Sequence, residues 1–180
     1  MQLSRRATIT GGLAAGLLAG LPRSESAWAQ TAADESAIRK YVENFDAAWN
    51  RHDAVGLFGK RAREMDRINA FGGWIRDPEA DERVMSRLFA GPFGQNKRKT
   101  TAERIRFVTP DVALVVVHVI TNAGPSGVKA PSLGDRSLHV LVKHNGEWEL
   151  TGFANVPIIP PSGAIREAEG DDVFYSDPKH

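Results

Sequence analysis

Glu103 to Thr121 reads ERIRFVTPDVALVVVHVIT, and its periodicity decides the fold. Charged and apolar residues alternate up to Phe107, Pro110-Asp111 interrupts, and Val112 to Ile120 is apolar apart from His118. Period-two alternation marks a strand with one buried face, and a Val-rich run beyond a turn marks a second. Pro110 presets φ and Asp111 can bond its own backbone, which suits a tight reversal. The segment is therefore an antiparallel pair, Glu103 to Thr109 and Val112 to Thr121. Arg136 to Lys143 and Glu147 to Asn155 extend the meander around Asn145-Gly146, a dipeptide that tolerates the positive φ of a hairpin turn.

Upstream the period becomes helical. Ile38, Tyr41, Val42, Phe45, Ala48 and Trp49 fall on one face of a helix expected to be capped by Asp34 and to end between Asn50 and Asp53. Ala54 to Phe58 reads as a second short helix or turn, and the charged residues 59–64 fit no single pattern. Ile68 to Ile75, bent at Gly72-Gly73, reads as a short strand or hairpin. Asp77-Pro78-Glu79 supplies an N-cap, a first-turn proline and an early acid for a third helix closing at Gly91. Three helices followed by a meander predict an α+β fold, with a curved antiparallel sheet wrapped around the helices.

Residues 1–29 form a different kind of segment. Ser4-Arg5-Arg6 leads into a mildly apolar run from Ile9 to Leu21, too short to span a bilayer, and Ala27-Trp28-Ala29 gives the small-x-small site of a signal peptidase. The paired arginines point to the twin-arginine route and to a periplasmic or secreted protein, mature from Gln30 and not inserted in the membrane once the signal is removed. Removal leaves 20 basic and 21 acidic residues of the original 23 and 22, so the basic balance belongs to the signal. A near-neutral mature chain gives no electrostatic reason to expect nucleic acid as a partner. With no cysteine, an exported protein has no disulfide, thiolate metal site or Cys nucleophile. Residues 30–159 suit one domain, and the Pro-rich, acidic tail 160–180 has too few apolar residues to pack alone and is expected to be mobile or to reach a partner subunit.

Three separated motifs carry a resemblance. Ala48-Trp49-Asn50-Arg51-His52-Asp53, then Asn69-x-x-Gly72 with Trp74 and Arg76, then Gly146-Glu147-Trp148 through Phe153-Ala154-Asn155, resemble in consistent order the nuclear transport factor 2-like superfamily, in particular its SgcJ/EcaC-type branch. The resemblance spans about residues 34–158. It implies a cone-shaped roll with an open, largely apolar pocket between sheet and helices, and a homodimer through the sheet's outer face. Relatives include isomerases, epoxide hydrolases, cyclases and proteins without known activity, so the fold constrains chemistry weakly. Ala154 and Val156 depart from the branch pattern, which has His and Thr there, and Lys60, Arg61 and Arg63 replace its usual acids.

Several residues are candidates for chemistry. A symmetric hairpin register would set His118 opposite His139, where two imidazoles could share a proton or orient a ligand carbonyl. Alternatively both lie on the outer face, because Leu138, Val140 and Val142 form the more apolar side of their strand. No third ligand is placed by spacing, so no metal site is expected. Asp66 on the first hairpin could act as a general base at the pocket mouth, the role an acid there takes in isomerase-like relatives, or be an ordinary turn acid. Phe45, Trp49, Asn69, Trp74, Trp148 and Asn155 are candidate ligand contacts, against the plainer roles of core and turn residues. No nucleophile elbow, phosphate loop, dinucleotide fingerprint or zinc spacing is present, so no cofactor is expected. The leading expectation is an exported homodimer that binds a small apolar or aromatic molecule. The alternatives are a cofactor-independent isomerase, hydratase or cyclase using Asp66 or the histidines, and a non-catalytic accessory module.

Overall fold

A computed structural model describes residues 25–122, 134–159 and 162–169. Its elements run α1 (Glu25–Asn50), α2 (Ala54–Leu57), β1 (Arg61–Ile68), β2 (Trp74–Ile75), α3 (Pro78–Ala90), β3 (Arg98–Thr109), β4 (Val112–Thr121), β5 (Asp135–His144), β6 (Glu147–Pro157) and α4 (Gly163–Glu169). Six strands form one sheet in the order β2-β1-β6-β5-β4-β3, and α1, α2 and α3 pack on one side of it. The fold is the expected α+β arrangement of a curved, unclosed sheet against an N-terminal helix. The sheet is mixed rather than wholly antiparallel, because β1 pairs with β6 in parallel.

The apolar stripe of α1 builds the core. Ile38, Tyr41, Val42, Phe45 and Ala48 pack with Val115, Val117, Leu141 and Leu150 from the concave side of the sheet. Asp34 is not the cap of this helix, which begins at Glu25; its carboxylate instead accepts from the Trp148 indole at 3.2 Å and pairs with Lys143. That contact pins the early turns of α1 to the far ends of β5 and β6.

The segment Trp49 to Asp53 is a joint. His52 takes φ 57°, a left-handed conformation that ends a helix and is normally given to glycine. A hydrogen bond between its Nε2 and the Asn96 carbonyl, 3.0 Å, holds it there. Trp49 donates to the Asn96 side chain at 2.8 Å, Asn50 exchanges hydrogen bonds with both backbone groups of Arg98, and Asp53 caps α2 through Gly56 N at 2.8 Å. The motif that carried the family resemblance thus ties the end of α1 to the start of β3.

α3 is fixed to the sheet by charge. Arg67 on β1 makes a bidentate bond to Asp81, whose side chain is fully buried, and Arg61 pairs with Glu82. Asp77 caps α3 as its sequence predicts, accepting from Glu79 N at 2.9 Å. Asn145 and Gly146, at φ 52° and 84°, make the anticipated tight turn between β5 and β6.

Candidate functional site

The β4–β5 register decides which groups share the concave face. Val115 stands opposite His139 and His118 opposite Arg136, so the expected His118–His139 pair does not form. The displacement is three residues, an odd number, and it puts the two side chains on opposite faces. Only Val119 and residues before it pair with β5, so the connection is longer than a symmetric hairpin would require. Asp135, Ser137, His139 and Leu141 face α1, while Leu138, Val140 and Val142 face outward. The more apolar side of β5 is therefore the outer side, the reverse of what its composition suggests.

His139 is completely buried at the centre of a polar chain. The Tyr41 hydroxyl lies 3.1 Å from its Nδ1 and the Ser137 hydroxyl 3.1 Å from its Nε2. The rings of Phe45 and Phe153 stand edge-on to the imidazole at 5.2 and 4.8 Å. Burial first, and the nearby Arg98 charge second, lower its pKa to about 3, so the ring is neutral at physiological pH. Burial likewise holds the Tyr41 phenol protonated by raising its pKa far above the usual value. With both ring nitrogens occupied, His139 serves as a fixed hydrogen-bonding element of the floor.

Arg98 is the buried cation beside it, its side chain 6% exposed. The guanidinium lies over the rings of Phe45 and Trp49, 4.4 and 4.3 Å from their centroids, and donates to the Phe45 carbonyl at 3.1 Å. Asp46 balances it at 3.5 Å and is itself held by the Thr100 hydroxyl at 2.5 Å. Burial lowers the Arg98 pKa to about 9, opposed chiefly by Asp46.

Asp135 completes the cluster at the first residue of β5. Burial raises its pKa, while the hydrogen bond from Asn155, the Arg98 charge and the His118 charge pull the other way. Asn155 sits beside Ser137 in the β5–β6 register and gives its amide N–H to Asp135, leaving its own Oδ1 buried without a partner. At the α1 terminus Asn50 is engaged by the backbone of Arg98. Among the described residues at this end of the concave face, Trp49, Thr100, Asp135, Phe153 and Asn155 all keep partial solvent access.

Of the predicted residues, Phe45, Trp49, His139 and Asn155 meet here, and the others lie elsewhere. Asp66 is exposed on β1 and accepts from the Trp74 indole at 2.7 Å, with Trp74 stacked on Arg76 at the sheet edge. Asn69 shapes the hairpin by accepting from Phe71 N and Gly73 N, both at 2.9 Å. Trp148 is core at the opposite end of the sheet, against Phe107. His118 faces outward beside Glu103, 3.8 Å away. Arg98, Asp135, Tyr41 and Ser137 were not singled out in the sequence. Period-two parity puts Ser137 on the His139 face and, carried one step further, Asp135 as well, and helical spacing puts Tyr41 on the Phe45 face.

A cleft of about 160 Å³ opens among Tyr41, Asn44, Phe45, Gly56, Leu57, Gly59 and Lys60. It is smaller than the roughly 300 Å³ at which small-molecule pockets begin. Among the described residues, no group of three or more His, Asp or Glu could hold a metal ion, and no helix is long and apolar enough to cross a membrane.

No family model matches the chain, and no curated protein matches it. Solved structures do. A domain of unknown function with a cystatin-like fold from Nostoc punctiforme superposes with a TM-score of 0.65 at 22% identity, covering 79% of this chain and 88% of that one. A putative scytalone dehydratase from Novosphingobium aromaticivorans gives 0.60 at 14% identity over 71% and 86% of the two chains. A type 2 hexachlorocyclohexane dehydrochlorinase gives 0.60 at 12% identity over 84% and 99%. These likenesses show the fold, which is cystatin-like or nuclear transport factor 2-like.

Proposed function

We propose that this chain binds a small organic molecule in the concave recess, without a cofactor, and works as an exported homodimer. One observation carries the reading: Arg98, Asp135, Asn155, Ser137, His139 and Tyr41 converge on one end of the concave face, beside aromatic walls. Burying so many polar groups is costly, and a module whose interior served only as filler gains nothing from it. An orphaned buried acceptor, Asn155 Oδ1, and partly open aromatic rings are what a recess completed by a ligand leaves behind.

A second reading, a cofactor-independent lyase or isomerase, is favoured by Asp135. A carboxyl group whose pKa is raised by burial at the edge of an apolar recess suits a general base. The dehydratase and dehydrochlorinase named among the structural neighbours make elimination the first reaction class to assay. Neither Asp66 nor His118 lies in the recess, and His139 has no free nitrogen, so the catalytic roles first considered for them pass to Asp135.

Assignment to the SgcJ/EcaC-type branch rests on the three motifs, and export on Arg5-Arg6 and Ala27-Trp28-Ala29. Dimerisation is supported by the outer face of the sheet, where Ile68, Ile120, Leu138 and Val156 are exposed together. Native mass spectrometry of protein recovered from the periplasm tests the whole reading. The expected species is a dimer whose subunits begin at Gln30 and carry a small organic adduct released on denaturation. A ligand-free protein that also fails to bind apolar probes would contradict it.

A further inference from the structure

Resting on the proposed dimer, the outer face of the sheet defines how its second copy is seated. The register lines the outward side chains up in rows that cross the strands. One row runs Asp66, Gly152, Val140, Leu114, Arg106, and the next runs Ile68, Ala154, Leu138, Val116, Arg104. β5 is the middle strand of both rows, with β1 and β3 each about 10 Å away on either side. Charge changes sign along them. Ala102, Ile105 and Phe107 of β3 pack on the core, so Arg104 and Arg106 point outward and are exposed, with Lys99 beyond them. On the other side Asp66 of β1 is exposed, and Glu149 of β6 stands beside the outward Val142. Glu103 on β3 is paired with Arg136, and Arg76 near Asp66 lies over Trp74. Size changes as well, from Gly152 and Ala154 on β6 to Leu114 and Val116 at the matching places on β4.

A two-fold axis relating two such faces lies in the plane between them. Running across the strands, it would set β3 over β3 and β4 over β4, cation on cation and large side chain on large. Running along β5, it carries each row onto itself reversed. Arg106 then lies over the partner subunit's Asp66, and Leu114 and Val116 lie over the small residues of the partner's β6. Sheets stacked face to face are about 10 Å apart, a gap that an arginine and an aspartate close from opposite sides. We infer that the dimer axis runs along β5, so that Arg106 of each subunit pairs with the partner subunit's Asp66 in two symmetry-related contacts flanking an apolar centre at Leu138 and Val140.

Charge exchange tests the pairing. Arg106→Glu and Asp66→Arg each set like charges together at both contacts, and either should raise the dimer dissociation constant at least about tenfold in analytical ultracentrifugation. Arg106→Glu combined with Asp66→Arg re-forms both pairs with their signs reversed and should return the constant to within about threefold of the parent. A double variant that dimerises no better than the weaker single variant, or a single variant that dimerises as well as the parent, overturns the inference while leaving the dimer in place. A parent protein that sediments as a monomer with native circular dichroism overturns the dimer reading along with it.

Discussion

His139 has the most fully determined surroundings in the protein, and they set how stability responds to pH. Its pKa of about 3 in the folded state lies below the ordinary value of about 6.5. Between those limits the unfolded chain binds a proton that the folded chain refuses. Stability from this group is therefore complete above about pH 6.5 and falls as pH drops towards 3, with a slope of at most ~1.4 kcal/mol per pH unit. Asp135, whose pKa is raised, acts in the opposite sense, so the comparison is made between variants. Urea midpoints measured from pH 7 to 4.5 should fall less steeply in His139→Gln than in the parent chain. Parallel curves would show that the buried imidazole takes up its proton freely. At this scale the sequence singled out His139, Trp49, Phe45 and Asn155 but not their partners. Residue type flags a histidine or a tryptophan, whereas the importance of Arg98 and Asp135 arises from burial that only the assembled sheet imposes.

The elements were legible where local chemistry speaks for itself. α3 follows from Asp77-Pro78, the β5–β6 turn from Asn145-Gly146, and the core stripe of α1 from its spacing. β1 was not, because Arg61 to Ile68 carries five charges in eight residues and shows its inward face only through Met65 and Arg67. Arg67 can point inward because Asp81 comes from α3 to meet it, a non-local fact. The parallel β1–β6 pairing and the β4–β5 offset are equally non-local, which is why the histidine pair was misplaced. Removing one member of the Arg67–Asp81 pair strands the other, and Arg67→Met or Asp81→Leu alone should each cost about 3–5 kcal/mol in urea unfolding. The double variant should recover most of that loss. Additive losses would mean that the two side chains do not stabilise the α3–β1 contact as a pair.

For the whole molecule, the sheet divides the labour between its faces. The concave side holds the buried polar cluster, and the convex side exposes Leu138 at 41% and Val156 at 61% with Ile68 and Ile120 nearby. The general architecture, three helices and a meander, was readable from periodicity. Which face was which was not, since the inward side of β5 carries Asp135, Ser137 and His139 while the outward side carries Leu138, Val140 and Val142. If the convex face joins two subunits, Leu138→Glu with Val156→Arg should convert the dimer to a monomer in light scattering while far-ultraviolet circular dichroism stays unchanged. A dimer that survives both substitutions would place the interface elsewhere.

A nitrogen–proton NMR titration with benzyl alcohol tests directly whether the concave face is a ligand site. Saturable shifts are expected for the Trp49 indole N–H and the Asn155 side-chain amide, with the Trp148 indole at the far end of the sheet unmoved. Shifts confined to Trp74 and the convex face, or spread evenly over all three indoles, would contradict it.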